Sequence, residues 1–378
     1  MSHIHVCLVS DQPIPNLTTV IQFRPDKVVL LSTKDKAAQA ERLEGVMRKY
    51  CGRVESREIL PYEISDVMAV SESLMDEHDE SEVTLNITGG TKIAAMGAFQ
   101  SFFTRGKAIY YVNTRDNEII RIYPEADSIP IDVSIPIEDY LSAYGFRTEQ
   151  YVKDDGYVYR RKGVTNFLAV LAREHEKLIG SINYLVNKAI PDPDKASYPI
   201  DVEFPRKSRI KELCEKLNSC GVAEQVGKTT IRISSQDAAR YLQGIWFEEY
   251  VYMIAKSLPV DEVRMGVAGQ WAVPGRKPLT NEFDVMIAKK NRLFYISCKT
   301  SDPDRKKGDS LESVSKEYLY ELDSLGDMAV GIFGKRMLVS ARTIRNEYVR
   351  KRARVLNIDL VDGRNVLTLK DKLLMWLS

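Results

Sequence analysis

The sequence predicts an α/β protein of several domains: a Rossmann-like N-terminal domain, a small helical middle module and a mixed α/β C-terminal domain. The chain has 378 residues, more than one domain usually contains. Its first 125 residues alternate strand-like and helical patterns, and the pattern changes after residue 130 and again near residue 243. We therefore expect domains at 1–145, 146–242 and 243–378.

The composition indicates a soluble globular protein rather than a disordered or membrane protein. Hydrophobic residues make up 44% and charged residues 28%. No apolar run approaches the roughly 20 residues of a membrane span, and the start lacks the layout of a signal peptide. The five cysteines are scattered without a CxxC pair, which excludes a disulfide framework and argues against structural zinc. These features predict a reduced, cytoplasmic protein.

The charge distribution leaves the partner open. The formal net charge is +1, while residues 243–378 hold 23 Lys and Arg against 18 Asp and Glu, an excess of five. Such an excess is compatible with nucleic-acid binding but too small to establish it.

The N-terminal elements come in strand–helix order, which predicts a parallel sheet with helices on both faces. In such sheets ligands bind where strands end at their carboxyl side. The predicted strands are His5–Val9, Lys27–Leu31, Val54–Ile59, Val83–Ile87, Ala108–Val112 and Glu118–Tyr123, and the predicted helices are Ala37–Tyr50, Glu63–Glu77 and Ile93–Thr104.

The turn after the fourth strand reads NITGGTK and is followed directly by a helix. Gly89 and Gly90 allow close backbone approach or positive φ, and the free N–H groups of the helix start favour a phosphate. Thr88 and Thr91 add hydroxyl donors and Lys92 adds a cation. The alternative interpretation is a tight turn in which Thr91 is only the N-cap.

Three further polar turns follow strands of the same predicted sheet. Ser10, Asp11 and Gln12 follow the first strand, residues 32–34 follow the second, and Thr114 follows the fifth. Together the four turns would surround a pocket rich in donors but without a general base. We therefore predict recognition of an anionic nucleotide with several phosphates, with a solvated rim as the alternative.

The middle module is predicted to run helix, hairpin and helix after a long helix. This order is typical of a winged helix, and a connecting helical subdomain fits the pattern equally well. The predicted elements are a helix at Val164–Lys188, a helix at Ser208–Asn218, two strands within Val222–Ile233 and a helix at Gln236–Leu242.

The C-terminal domain is predicted as mixed α/β around a central hairpin. Its predicted elements are a helix at Gly244–Ser257, a strand at Glu262–Gly269, the hairpin 281–300, a helix at Ser313–Leu325, a strand at Ala329–Phe333, a helix at Ser340–Val355, a strand at Asp359–Val361 and a final helix.

The hairpin places charged residues on one face if Lys290 and Asn291 form its tip. Paired positions then sum to 581, so that Asp284 lies opposite Ser297 and Glu282 opposite Lys299. With period-two alternation these four side chains share one face. The other face is apolar and consists of Phe283, Val285, Ile287, Phe294, Ile296 and Cys298.

Carboxylates and a lysine on one sheet face are typical of metal-assisted phosphodiester cleavage. Asp284 would ligate a divalent cation, with Mg²⁺ or Mn²⁺ preferred because the ligands are hard oxygens. Lys299 would orient the water or stabilise charge on the phosphate. A further carboxylate would come from the preceding helix, where Glu248 is the first choice and Glu249 the second. The alternative is a cross-strand Glu282–Lys299 salt bridge on a solvated face.

The N-terminal motif resembles the CRISPR-associated Rossmann fold (CARF) sensor domain over about residues 1–145. The resemblance implies that the chain binds a cyclic oligoadenylate, with the tetramer expected, across a homodimer. It also implies that Thr88, Gly89, Gly90, Thr91 and Lys92 hold the ligand, that Ser10, Asp11 and Gln12 form the opposing turn, and that Thr114 is a flanking contact.

The C-terminal motif resembles the PD-(D/E)xK nuclease fold, with its helix glutamate, hairpin aspartate and (E/D)xK strand. The match departs at Ser297, where the family has an acidic residue; Glu282 is close enough on the predicted face to compensate. The resemblance implies metal ligation by Asp284, Glu248 and the Cys298 backbone carbonyl.

The joint occurrence of both motifs resembles the CRISPR ancillary nucleases that cyclic oligoadenylates activate. The resemblance implies metal-dependent cleavage of DNA or RNA, with single strands as the expected substrate. Two alternatives stay open: a ligand-responsive regulator with a degenerate nuclease domain, and cleavage of the cyclic ligand in the sensor pocket.

Overall fold

The N-terminal domain is built on a seven-stranded sheet, as the strand–helix alternation predicts. The computed structural model describes residues 1–207, 209–272, 277–305 and 314–378. The strands are β1 (His3–Leu8), β2 (Lys27–Ser32), β3 (Arg53–Glu58), β4 (Glu82–Asn86), β5 (Ile109–Asn113), β6 (Glu118–Tyr123) and β7 (Ile129–Pro130). The strand order is β3-β2-β1-β4-β5-β6-β7. The first five strands are parallel to one another, β6 is antiparallel to β5, and β7 is antiparallel to β6.

Helices cover both faces of this sheet. Successive residues of β1 point to opposite sides, so that Val6 and Leu8 belong to one buried cluster and Cys7 to another. The helices are α1 (Ile14–Phe23), α2 (Ala37–Met47), α3 (Ile64–Glu77), α4 (Lys92–Thr104) and α5 (Ile137–Tyr144). The turn after β1 is short, because α1, which the sequence patterns did not predict, begins at Ile14 with a proline in its first turn.

The middle module contains helix, hairpin and helix in the predicted order, with one additional strand. The predicted helix at 164–188 is two helices, because His175 leaves the helical region with φ −133° and ψ 52°. The elements are α6 (Gly156–Glu174), α7 (Glu176–Ala189), β9 (Ile200–Glu203), α8 (Ile210–Ser219), β10 (Glu224–Gln225), β11 (Thr230–Ile233) and α9 (Gln236–Arg240). The three strands form an antiparallel sheet in the order β10-β11-β9.

The C-terminal domain surrounds a six-stranded mixed sheet. Its elements are β8 (Phe146–Gln150), α10 (Trp246–Lys256), β12 (Glu262–Trp271), β13 (Leu279–Lys289), β14 (Arg292–Lys299), α11 (Val314–Ala329), β15 (Lys335–Ser340), α12 (Glu347–Val355), β16 (Ile358–Val361) and α13 (Leu369–Trp376). The strand order is β16-β15-β14-β13-β12-β8. β8 comes from the start of the segment predicted as the middle module, and it pairs with β12 where Phe146 lies opposite Trp271.

Two sequence predictions are wrong in this domain. The segment Ala329–Phe333 is the end of α11 and a turn, since Gly331 has φ +68°, and the strand begins only at Lys335. The following helix begins at Glu347 rather than Ser340, with Asn346 as its N-cap. The predicted helix starts Ser208 and Ser313 lie outside the described residues.

No helix within the described ranges combines the length and the apolar character that crossing a membrane requires. The fold class predicted from the sequence is confirmed: a multidomain α/β chain with a Rossmann-like N-terminal domain.

Candidate functional site

The central hairpin of the C-terminal sheet has the predicted register. Val285 pairs with Ile296 and Lys289 with Arg292, so paired positions sum to 581. Lys290 and Asn291 form the tip with φ of 50° and 54°, the left-handed pair that a two-residue hairpin turn requires. Register and tip together bring Asp284 beside Ser297.

Beyond Val285 the two hairpin strands separate, and Asp284 fills the gap. Its Oδ2 accepts a hydrogen bond from the Cys298 backbone N–H at 2.6 Å and from the Ser297 hydroxyl at 3.3 Å. β14 instead continues its pairing with β15, as far as Lys299 opposite Ser340. The carboxylate of Asp284 is therefore held by the backbone of the strand that carries Lys299.

The same separation makes one predicted face assignment wrong. Phe283 was expected to share a face with Val285, but its ring lies 5.2 Å from Phe146 and 5.0 Å from Tyr295, between centroids. It belongs to the buried cluster on the opposite side of the sheet from Val285. Strict alternation holds only while the ladder between the strands continues.

Lys299 reaches into a polar pocket beside this gap. Its Nζ lies 4.0 Å from Glu321 Oε2 and 5.1 Å from the centroid of the Tyr318 ring, and its side chain is 23% exposed. Burial disfavours the ammonium, but the charges of Asp284 and Glu321 outweigh it and raise the pKa of Lys299. Lys299 is therefore a cation at neutral pH, and its ion pair is with Glu321 rather than with the predicted Glu282.

The two candidate helix glutamates point in different directions from the first turn of α10. Burial, followed by the negative charges of Asp284 and Glu282, raises the pKa of Glu248 well above its ordinary value. Glu249 is fully buried on another side of the helix, where its Oε1 accepts a hydrogen bond from Arg161 at 3.1 Å. Glu248 therefore belongs electrostatically with the hairpin, and Glu249 with the middle module.

Glu321 is a carboxylate of this pocket that the sequence patterns did not predict. It lies on α11, three residues after Tyr318, so both side chains point to the same side of the helix. Leu319, Leu322 and Leu325 anchor the helix in the core. The Tyr318–Glu321 spacing is a local signal, but nothing in the sequence relates this helix face to Lys299.

The pocket has the donor chemistry that a hard divalent cation requires. Burial raises the pKa of Asp284, which means that the folded protein disfavours its negative charge. Glu248 makes no hydrogen bond or ion pair with the residues that the structure describes. Mg²⁺ commonly uses one or two carboxylates and keeps its waters. In the described part of the chain, no three His, Cys, Asp or Glu side chains are grouped closely enough to hold an ion alone.

A second candidate site lies where β1 to β4 end, at the edge that the sequence predicted. A cavity of about 340 Å³ is lined by residues that follow all four strands. Ser10, Asp11, Thr33, Gly90 and Thr91 are among them, so the structure brings three of the four predicted turns together. The fourth side of the cavity is the segment after β3 rather than the predicted turn at Thr114. Lys36 adds a cation to this cavity, although it also pairs with Asp11 at 2.9 Å.

The glycines of the NITGGTK turn are required by its packing. A Cβ on Gly89 would lie 2.1 Å from the carbonyl oxygen of Leu8, and Gly90 has φ +78°. The turn thus approaches β1 more closely than any side chain would permit. Lys92, the first residue of α4, is exposed beside it.

The two threonine hydroxyls of this turn are engaged within the fold. Thr88 donates to Asn86 Oδ1 at 2.6 Å and accepts from the Val112 N–H at 2.8 Å. Thr91 donates to the Pro61 carbonyl at 2.6 Å and caps α4 by accepting from the Ala94 N–H. Thr91 is thus the N-cap of α4, and both threonine hydroxyls donate within the fold, so the turn would offer a ligand its backbone N–H groups and Lys92.

Five of the nine predicted sensor residues lie outside the cavity lining: Gln12, Thr88, Gly89, Lys92 and Thr114. The Oε1 of Gln12 accepts a hydrogen bond from the Tyr144 hydroxyl at 3.0 Å and lies 3.5 Å from the backbone N–H of Ile332, so it is directed towards the C-terminal domain. Thr114 is buried, and its hydroxyl makes no hydrogen bond within the described residues. Sequence position alone placed Gln12 and Thr114 beside the ligand.

Comparisons with known proteins identify both parts of the chain. Residues 4–140 match the family model described as the Card1 CARF domain, and residues 235–378 match the Card1-like endonuclease domain. No curated protein is significantly similar to the chain.

Three solved structures show related folds at low sequence identity. Protein VC1899 from Vibrio cholerae has 22% identity and a TM-score of 0.86, covering 99% of this chain and 98% of its own. Can2 from Sulfobacillus thermosulfidooxidans, solved with cyclic tetra-adenylate, has 22% identity and a TM-score of 0.79, with 100% and 99% covered. A type III CRISPR defence DNA nuclease activated by cyclic oligoadenylate has 16% identity and a TM-score of 0.57, with 90% and 46% covered.

Proposed function

We propose that this chain, in which a match to the Card1 CARF domain is followed by a match to the Card1-like endonuclease domain, is a nuclease of type III CRISPR defence switched on by a cyclic oligoadenylate. We infer the class of the activator from the structural neighbours, one of which is solved with cyclic tetra-adenylate. We expect the same tetramer here, and cleavage of DNA or RNA phosphodiester bonds.

The observation that carries the proposal is the convergence of Glu248, Asp284 and Lys299 from one helix and two strands. Glu248 and Asp284, with the Cys298 carbonyl, would hold Mg²⁺ or Mn²⁺, which when bound polarises the phosphate and lowers the pKa of a water. Protonated Lys299 would stabilise negative charge that develops on the phosphate oxygens. Ser297 orients Asp284 through its hydroxyl, and Glu282 adds negative charge to the same pocket.

The sensor cavity suits a phosphate-bearing ring bound by two copies of the chain. Backbone N–H groups at the start of α4, with Lys36 and Lys92 nearby, offer donors and positive charge. On the same helix Ile93, Met96 and Phe103 are exposed, an apolar stripe that a homodimer would cover. A ring of like subunits is gripped symmetrically by two copies of one pocket.

A chain of contacts joins the sensor turn to the nuclease pocket. Gln12, next to the cavity residue Asp11, contacts both Tyr144 at 3.0 Å and the backbone N–H of Ile332 at 3.5 Å. Ile332 follows α11, the helix that carries Glu321 and Tyr318 against Lys299. A ligand that binds one arrangement of the turn more tightly than another would therefore bias the position of α11.

The direct test is cleavage of labelled single- and double-stranded DNA and RNA by the purified chain, with and without cyclic tetra-adenylate, in Mg²⁺, Mn²⁺ or EDTA. Cleavage should need both the ligand and the metal. Asp284→Ala and Lys299→Ala should abolish it, while Lys289→Ala, at the other end of the hairpin, should cleave normally. Cleavage that survives both changes would exclude these roles.

One observation favours a second candidate, a ligand-responsive nucleic-acid-binding regulator. Ser297 stands where the fold family has an acidic residue, and its buried hydroxyl is bonded to Asp284 rather than free for an ion. Ligand-dependent binding of nucleic acid without cleavage under any metal would select this candidate.

A further inference from the structure

A groove of about 710 Å³ lies between the middle module and the C-terminal domain, and none of its lining residues belongs to either site described above. Lys177 and Tyr184 line it from α7, and Phe204, Arg206 and Lys207 line it from the segment after β9. Arg342 joins them from the end of β15. The groove therefore joins residues of two domains.

The charge of the groove is strongly positive. Four basic side chains line it against one carboxylate, that of Glu203. Lys177, Arg206 and Lys207 form no ion pair with the described residues, whereas Arg342 is anchored to Asp302 at 3.0 Å. The described chain thus leaves three cations of the groove unpaired. Such a group of basic side chains is typical of a site that binds the phosphates of a nucleic-acid backbone.

A solvent-exposed aromatic ring lies among these cations. Tyr184 is 64% exposed on the side of α7 that lines the groove, while Phe204 below it is buried. Bases of a single strand stack on such exposed rings, and basic residues that interleave with them hold the backbone. A paired base inside a duplex has no free face for this contact.

The groove is joined to the nuclease pocket through residues that adjoin its lining in the chain. The Asn183 side chain, next to Tyr184, donates to the backbone oxygen of Thr300 at 3.2 Å, and Thr300 follows Lys299. Ser340, two residues before Arg342, pairs with Lys299 across the parallel strands. A strand lying in the groove thus lies beside the segment that carries the catalytic lysine.

We propose that this groove holds the single-stranded nucleic-acid substrate, with phosphates on Lys177, Arg206 and Lys207 and an unpaired base stacked on Tyr184. The inference rests on the proposed nuclease function and names the part of the surface that holds the substrate.

The experiment measures binding apart from cleavage. Fluorescence anisotropy of labelled single-stranded DNA, single-stranded RNA and duplex DNA is recorded in EDTA, with and without cyclic tetra-adenylate, on the full chain. Tyr184→Ala should weaken single-strand binding at least about fivefold. The double change Lys177→Glu and Lys207→Glu should also make the salt dependence shallower, by about 0.7 in log–log slope for each phosphate that the variant no longer neutralises.

Matched controls use residues of the same type outside the groove. Tyr348→Ala removes another exposed tyrosine, and Lys195→Glu reverses an exposed lysine that pairs with Asp192. Both should bind like the unaltered chain. The DNA and RNA arms show which strand the groove holds.

The outcomes separate this inference from the nuclease proposal. If the groove variants bind and cleave like the unaltered chain, or if only duplex DNA binds, the groove assignment is overturned while the nuclease proposal stands. If binding falls as expected but no metal or ligand supports cleavage, the groove stands and the nuclease proposal fails. Failure of the unaltered chain to bind any strand overturns the groove.

Discussion

The hydrogen bond from Tyr144 holds the Gln12 side chain that contacts Ile332 of the C-terminal domain, so removing this bond tests communication between the two domains. Tyr144→Phe removes only the hydroxyl that donates to Gln12 Oε1 at 3.0 Å and leaves the ring packed against Tyr140. The Gln12 oxygen keeps its longer contact with the Ile332 N–H at 3.5 Å. The change therefore weakens one link without creating a cavity.

The expected magnitude follows from the value of one hydrogen bond. A neutral intramolecular hydrogen bond contributes about 0.5–1.5 kcal/mol, and coupling between sites is typically about 1–3 kcal/mol. Loss of about 1 kcal/mol corresponds to an about fivefold change in an equilibrium constant. The ratio of cleavage rates with and without cyclic tetra-adenylate should fall by about that factor.

The assay compares this ratio in the unaltered chain and in Tyr144→Phe, and measures ligand affinity by calorimetry. Tyr252→Phe is the matched control, because this buried hydroxyl donates to Asp155 at 2.9 Å away from the sensor turn. Gln12→Ala and the double variant complete a mutant cycle. A stimulation ratio unchanged in Tyr144→Phe, or effects that simply add in the double variant, would refute the proposed route.

Three further predictions concern the sensor turn, the proposed metal ligands and the buried Glu249 carboxyl beside Arg161. Gly89→Ala should weaken cyclic tetra-adenylate binding at least about tenfold in calorimetry, since its Cβ would collide with β1, whereas Gly45→Ala, with open space around it, should not. Mg²⁺ or Mn²⁺ should raise the melting temperature of the unaltered chain, and Glu248→Gln combined with Asp284→Asn should remove that rise if these carboxylates hold the ion. Burial raises the pKa of Glu249 from its ordinary 4.5 to about 8, so the folded state binds more protons than the unfolded state between these values. The free energy of unfolding should therefore fall as pH rises from about 4.5 to 8, and Glu249→Gln should flatten that fall in denaturant titrations; an unaltered slope would contradict the assignment.

Local patterns in the sequence were enough for the hairpin and the glycine turn. The hairpin register follows from two residues that accept positive φ at the tip and from alternation along each strand. The position of NITGGTK after β4 follows from strand–helix periodicity, and the comparisons support the resemblances drawn from both motifs.

Other features depend on distances that no local pattern encodes. Glu321 lies 22 positions beyond Lys299 along the chain, and its approach to Lys299 depends on how α11 packs. Phe283 left its predicted face because the ladder between β13 and β14 ends at Val285, while β14 continues to pair with β15. β8 joins the C-terminal sheet from the start of the segment that the sequence assigns to the middle module.

By itself, then, the amino-acid order determined the class of each domain, the turn chemistry and the residue types available for ligand and phosphate. Only the folded chain decided which of them meet: Glu248 rather than Glu249 at the hairpin, Gln12 turned away from the cavity, and α11 between sensor and lysine. The physical reason is that propensity and periodicity act over a few residues, whereas charge pairing and burial depend on packing between segments far apart in the chain.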